Sequence, residues 1–145
     1  RTAGISVDEV APGRARASMT VNETMINGHR ICHGGYVFLL ADTAFAFACN
    51  TYGTPTVAQG CDIEFVRSAR LGDRLVATAS ERGRYGRNGI YDVTVTCGDG
   101  VVAEFRGRSR TIPPRGTDRH AGPAPRPEDT GPAPLPDDAS TEETS

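Results

Sequence analysis

The sequence predicts an α+β fold in which antiparallel strands surround one long central helix. Three observations carry the prediction. Runs that alternate apolar and polar residues recur along the first 110 positions. One segment, from Gly34 to Gly53, is apolar with almost no polar side. Gly98-Asp99-Gly100 stands between two alternating runs and reads as a hairpin turn.

The elements follow in order. Gly4 to Val10 reads as a first strand. Arg14 to Val21 alternates, with Ala15, Ala17, Met19 and Val21 on one face. Ile63 with Phe65, and Leu75 with Ala77 and Ala79, mark two more strands. Tyr91, Val93, Val95 and Cys97 oppose Asp92, Thr94 and Thr96. Val101, Ala103 and Phe105 oppose Glu104, Arg106 and Arg108. Period two with one polar face is the pattern of antiparallel strands wetted on one side. The segment between the second and third runs differs. Tyr36 to Ala41 and Ala44 to Cys49 are apolar, and only Asp42 and Thr43 interrupt them. A helix apolar all round needs cover all round, and one sheet face covers half. Either the sheet curls around the helix or a second subunit closes the open side. Gly53 and Pro55 are the predicted stop.

Composition sets the limits. The 145 residues include 16 arginines, no lysine and 18 acids, for a net charge of −2. The length fits one domain. The near-neutral balance offers no basic face for nucleic acid, and no apolar run reaches the ~20 residues of a membrane span. No basic-then-apolar segment opens the chain, so the cytoplasm is the expected location. The character changes at Thr111. Eight of the ten prolines lie beyond it, with seven acids against three arginines and no aromatic residue. Residues 1–110 are therefore expected to fold, and residues 111–145 to form a disordered acidic tail rich in proline. Cys32, Cys49, Cys61 and Cys97 form no Cys-x-x-Cys pair and read as small core residues rather than disulfides. His29, Cys32 and His33 share one loop without a fourth ligand, so no metal site is expected.

Asp42 is the residue that asks for an explanation. A carboxylate inside an apolar helix costs several kcal/mol unless it is partnered or used. A structural reading pairs it with Arg67 or Tyr91. A chemical reading looks to the helix start, His33-Gly34-Gly35, where no Ser, Thr or Asp side chain covers the free amides. Bare amides at a positive dipole end suit a developing oxyanion. Asp42 lies eight residues beyond Gly34, about 12 Å along the axis. A base and an oxyanion donor must both lie within ~3 Å of the reacting atoms or an intervening water. One helix cannot supply both to one site. Two antiparallel copies can, with Gly34 of one meeting Asp42 of the other.

The segment Asn27-Gly28-His29-Arg30-Ile31-Cys32-His33-Gly34-Gly35, followed by Leu40-Ala41-Asp42-Thr43-Ala44-Phe45-Ala46-Phe47-Ala48-Cys49-Asn50, closely resembles the hotdog-fold thioesterases of phenylacetic acid degradation, the PaaI type. The resemblance continues through Asp62 to Arg67, Gly72-Asp73 and Phe105-Arg106-Gly107, and covers roughly residues 4–110. It implies a sheet wrapped around one helix, a homodimer with shared active sites, usually a dimer of dimers, and hydrolysis of an aryl or arylacetyl coenzyme A thioester without a cofactor. It implies Asp42 as the catalytic carboxylate, either activating water or attacking the carbonyl. It implies the Gly34 amide as the oxyanion donor, His33 as a group holding the thioester, and Asn27 as a group orienting water or the leaving group. Two departures from the family are expected: no N-terminal helical segment ahead of the first strand, and an extra tail.

Coenzyme A needs donors for its phosphates. Candidates are Arg84 and Arg87, with Asn88 and Gly89 in the same glycine-bearing connection, together with Arg67 and the second helix glycine, Gly35. A solvated turn is the plain reading of that connection. Tyr36, Phe38, Phe45 and Phe47 are candidates for an acyl pocket, against a plain core reading. Two rival functions remain at this stage: a hotdog hydratase or dehydratase, and a non-catalytic acyl-CoA-binding protein.

Overall fold

Residues Gly34–Cys49 form helix α1 in the computed structural model, which describes residues 4–113. Although the helix is apolar nearly throughout, burial sorts its residues cleanly. Val37, Leu40, Ala41, Ala44, Phe45, Ala48 and Cys49 are buried, at the three- and four-residue spacing of one helical stripe.

That stripe lies on one sheet. The strands are β1 (Ser6–Ala11), β2 (Arg14–Thr20), β3 (Thr56–Phe65), β4 (Arg74–Tyr85), β5 (Asn88–Cys97) and β6 (Gly100–Thr111). Their order is β1-β2-β4-β5-β6-β3, and every pairing is antiparallel. The expected alternation sets the inner face. Ala15, Ala17 and Met19 from β2 point inward, as do Leu75, Ala77 and Ala79 from β4, and Tyr91, Val93 and Val95 from β5. Small residues face one another across the strands, Ala17 against Ala77 and Ala15 against Ala79. They let the helix backbone lie close to the sheet. Where β6 passes under the helix, Gly107 makes room for Phe45: a Cβ there would lie 2.7 Å from the Phe45 ring. Phe45 packs on Tyr91 and Phe105, each at 5.7 Å between centroids, within the favoured range for aromatic pairs.

Hairpins join β4 to β5 through Gly86-Arg87 and β5 to β6 through Gly98-Asp99. Gly86 and Gly98 carry φ of 66° and 60°, a region where glycine is free of Cβ strain.

Three expectations are corrected. The helix ends at Cys49, before Gly53, because Asn50 stops it. Asn50 Nδ2 donates to Ala46 O at 2.9 Å and to Thr56 O at 3.1 Å, while Oδ1 accepts from Thr56 N at 2.9 Å. One side chain thus closes the helix and opens β3. Cys32 and Cys49 are buried, but Cys61 and Cys97 are only half-buried; all four are free thiols. Strand β6 runs to Thr111, and Ile112 N donates to Pro55 O at 2.9 Å, so the fold passes the expected boundary at residue 110. The tail expected to be disordered lies, from residue 114 onward, outside the described residues.

The sheet leaves part of the helix open. Phe47 is 47% exposed, and Tyr36 and Leu39 are half-buried. Strand β3, one of the two sheet edges, leaves Val57 and Phe65 exposed as well. Among the described residues, no helix is long and apolar enough to cross a membrane.

Candidate active site

Helix α1 starts bare. His33 is its N-cap, and its side chain makes no capping bond. The His33 carbonyl accepts from Tyr36 N at 3.0 Å, and its own N–H donates to Met25 O at 2.8 Å. Among the described residues, no acceptor pairs with the amides of Gly34 or Gly35. Gly34 is glycine for a packing reason as well. A Cβ there would lie 3.0 Å from Phe65 Cζ.

The loop before the helix is organised by Asn27. Its Oδ1 accepts from His29 N at 2.8 Å and Ile31 N at 3.1 Å. Its backbone N–H donates to Ile31 O at 2.9 Å, and its carbonyl accepts from Arg30 N at 3.0 Å. The Asn27 side-chain oxygen is therefore engaged within its own turn, which leaves the amide Nδ2 as its outward donor. His29 is exposed on the same loop.

Asp42 sits half-buried on the third turn of α1. Among the described residues it makes no hydrogen bond and no ion pair. The structural reading is thereby corrected. Arg67 lies across Gly100 instead, and Tyr91 is buried against Phe45. Burial pushes the Asp42 carboxyl above the ordinary aspartate range. Its charge reaches two thiols. Burial, then Asp42, raises Cys61; burial, partly offset by a backbone hydrogen bond, and then Asp42 raise Cys49 to about 11.

The remaining candidates divide between the two ends of the helix. At the Gly34 end, a cleft of about 380 Å³ is lined by Ile31, Gly34, Val37, Phe65, Val66 and Arg67 among others. At the Cys49 end, Arg84, Arg87, Asn88 and Gly89 line a shallow recess with Cys49 and Tyr52. The helix separates these groups by about 22 Å within one chain. Arg84 stacks on Tyr52 at 3.9 Å from the ring centroid, and Tyr52 Oη donates to Glu81 Oε1 at 2.6 Å. Arg87 and Asn88 are exposed. Gly89 is buried, and a Cβ there would lie 2.8 Å from Ser109 Oγ and 3.0 Å from Tyr91 Cε1, so a side chain would have to displace them. Of the aromatic candidates, Phe45 is core and Phe38 packs on Phe105 at 5.7 Å. Tyr36 and Phe47 stay partly open. Phe65 was not among the site residues expected from sequence; its closeness to Gly34 joins positions 31 apart, which no local pattern records.

This fold can be matched to known proteins. The family model of the thioesterase superfamily matches residues 29–104, more than half of the chain. The chain belongs to the thioesterase superfamily. Acyl-coenzyme A thioesterase PaaI of Escherichia coli strain K12 is 46% identical to this thioesterase over 110 residues, 75% of this chain and 79% of that protein. The solved structure of the E. coli PaaI protein from the phenylacetic acid degradation operon matches with a TM-score of 0.75 at 45% identity, covering 77% of this chain and 81% of that one. A mutant of the phenylacetic acid degradation protein PaaI from Thermus thermophilus matches with a TM-score of 0.73 at 35% identity, covering 76% and 95%. The α+β architecture expected from the sequence is the hotdog fold of these thioesterases.

Proposed function

We propose that this thioesterase hydrolyses aryl or arylacetyl coenzyme A thioesters to the free acid and coenzyme A, with Asp42 as the catalytic carboxylate. The observation that carries this reading is Asp42 itself, half-buried and without a partner among the described residues. Burial without compensation weakens its acidity, which strengthens it as a base. Asp42 takes a proton from water while the water oxygen adds to the thioester carbonyl, or the carboxylate itself adds and water later cleaves the anhydride. The oxyanion rests on the Gly34 amide, with Gly35 beside it. Breaking the C–S bond releases the coenzyme A thiolate, which takes up a proton. His33 holds the thioester, and Asn27, through Nδ2, orients water or the leaving group.

A homodimer is part of the reading. Asp42 and Gly34 of one chain stand about 12 Å apart along α1, so two chains must contribute to each site. The open helix face and the exposed Val57 on edge strand β3 support that assembly, because a bare strand edge is a template for pairing. In a head-to-tail pair, the Cys49 end of one helix extends past the Gly34 end of the other. Arg84, Arg87 and Asn88 then lie beyond the thioester, as phosphate contacts should, with Arg67 at the near rim.

Dehydration is disfavoured because the chain matches the thioesterase superfamily and is 46% identical to an acyl-coenzyme A thioesterase. The phenylacetic acid degradation operon named for the E. coli relative supports the aromatic substrate and a place in phenylacetate catabolism; a cytoplasmic location and a dimer of dimers complete the reading. Steady-state assays on phenylacetyl-CoA and hydroxylated analogues test it. Thiol release is expected. An alkene absorbance change, or binding without turnover, would overturn it.

A further inference from the structure

We propose that Phe65 forms the specificity-determining wall of the acyl site and selects flat aromatic acyl groups; this rests on the hydrolase reading of Gly34 and Asp42. Phe65 ends β3 and belongs to its inward series. Cys61, Ile63 and Phe65 stand opposite Gly107, Phe105 and Ala103 in register, and Phe105 and Ala103 are buried to 3% and 0% exposure. Phe65 points the same way yet is 53% exposed. The cause is local. The helix begins at Gly34, which has no side chain to cover the ring.

The ring edge instead meets Gly34, with Cζ at 3.0 Å and Cε1 at 3.3 Å from the position a Cβ would take. Among the described residues Phe65 also has no aromatic partner, whereas Phe38, Phe45, Tyr91 and Phe105 pair with one another. Its neighbours Ile31, Val37 and Val66 give the cleft an apolar side, and Arg67 and Ser68 line the rest with polar groups. At about 380 Å³ this cleft has the size of a small-molecule site, ~300–1,000 Å³. A carbonyl held by the Gly34 amide places the first carbons of its acyl group beside this ring. An aryl group there gains an aromatic contact and apolar burial together; an acetyl group gains almost none.

The test compares kcat/KM for phenylacetyl-CoA and acetyl-CoA, by thiol release, in the wild type, Phe65→Ala, Phe65→Leu and Phe65→Tyr. In Phe65→Ala the aryl-to-acetyl ratio falls at least about tenfold. Phe65→Leu, which keeps most of the volume without the ring, shifts it the same way. Phe65→Tyr holds it within about twofold. An active enzyme whose ratio does not move overturns the assignment. So does an equal fall for both substrates with loss of the dimer in sedimentation, which would make Phe65 a subunit contact. A wild type that releases no thiol from any coenzyme A thioester overturns the hydrolase reading first, and this one with it.

Discussion

Asp42 and Asp92 are two carboxylates of one small domain held under opposite conditions. Asp92 lies on the outer face of the sheet and accepts from Arg106 Nε at 2.7 Å and Nη2 at 3.0 Å, with Arg82 Nε at 3.3 Å. The Arg106 hydrogen bond holds it below the usual carboxylate range. Asp42 has no such partner and is pushed the other way by burial. The outer face settles its charges between neighbouring strands, as in Arg108 with Asp62 at 3.4 Å. The helix face leaves its one charge unanswered. Asp8, Glu64 and Asp99 also lack a partner among the described residues, but they stand exposed in water, whereas Asp42 is half-buried; a half-buried charge left unsatisfied by folding is one that a substrate or water can still engage.

The contrast can be broken at Asp42 first, where the largest effect is expected. Asp42→Asn lowers turnover at least ~100-fold with the dimer intact. The same change raises Tm at neutral pH, because the raised pKa means that the folded state favours the uncharged acid. The stability linked to Asp42 is full below the ordinary carboxylate range and is lost as pH rises through the raised value. The gain from Asp42→Asn therefore shrinks at acid pH. In the wild type, the acid limb of the kcat/KM profile stands above ~3.9, the ordinary aspartate value. Near-normal turnover together with a lower Tm would make Asp42 a structural residue.

A smaller effect is expected at Asp92. Its linkage has the opposite sign: stability is present above the ordinary range and is lost as pH falls through the lowered value. Asp92→Asn lowers Tm by about 1–4 °C at neutral pH, as exposed ion pairs do, and turnover is unchanged. Thermal scans across pH check both signs. The smallest effect is assigned to the far end of the chain. Truncation after Pro113 leaves kcat/KM within about twofold of the full chain, and a larger loss would give residues 114–145 a part in the reaction.

Much of the fold was legible because period two and an apolar helix are local signals. Strands β2, β4, β5 and β6 follow directly from their alternation. Strand β3 was legible only at Ile63 and Phe65, because as an edge strand it exposes Val57, Ala58 and Gln59 in succession. The helix stop was misplaced because Asn50 acts through bonds to both Ala46 and Thr56, and only folding brings them together. At the site, Gly34-Gly35 announced bare amides and Asp42 announced a misplaced charge. That neither Arg67 nor Tyr91 answers the charge depends on where those side chains pack, across Gly100 and against Phe45. Phe65 was missed for the same reason.

Complementation between two inactive chains shows whether each site is shared between subunits. Asp42→Asn removes the carboxylate, and Gly34→Pro removes the amide at a helix position that accepts proline, where the added Cβ turns aside the exposed Phe65 ring. Mixing equal amounts and allowing subunit exchange yields heterodimers in which one site carries both defects and the other neither. Shared sites give recovery to about a quarter of wild-type activity, from half the dimers each with one working site. Continued inactivity of heterodimers shown to have formed would mean that each site draws Gly34 and Asp42 from a single chain, and would contradict the shared site.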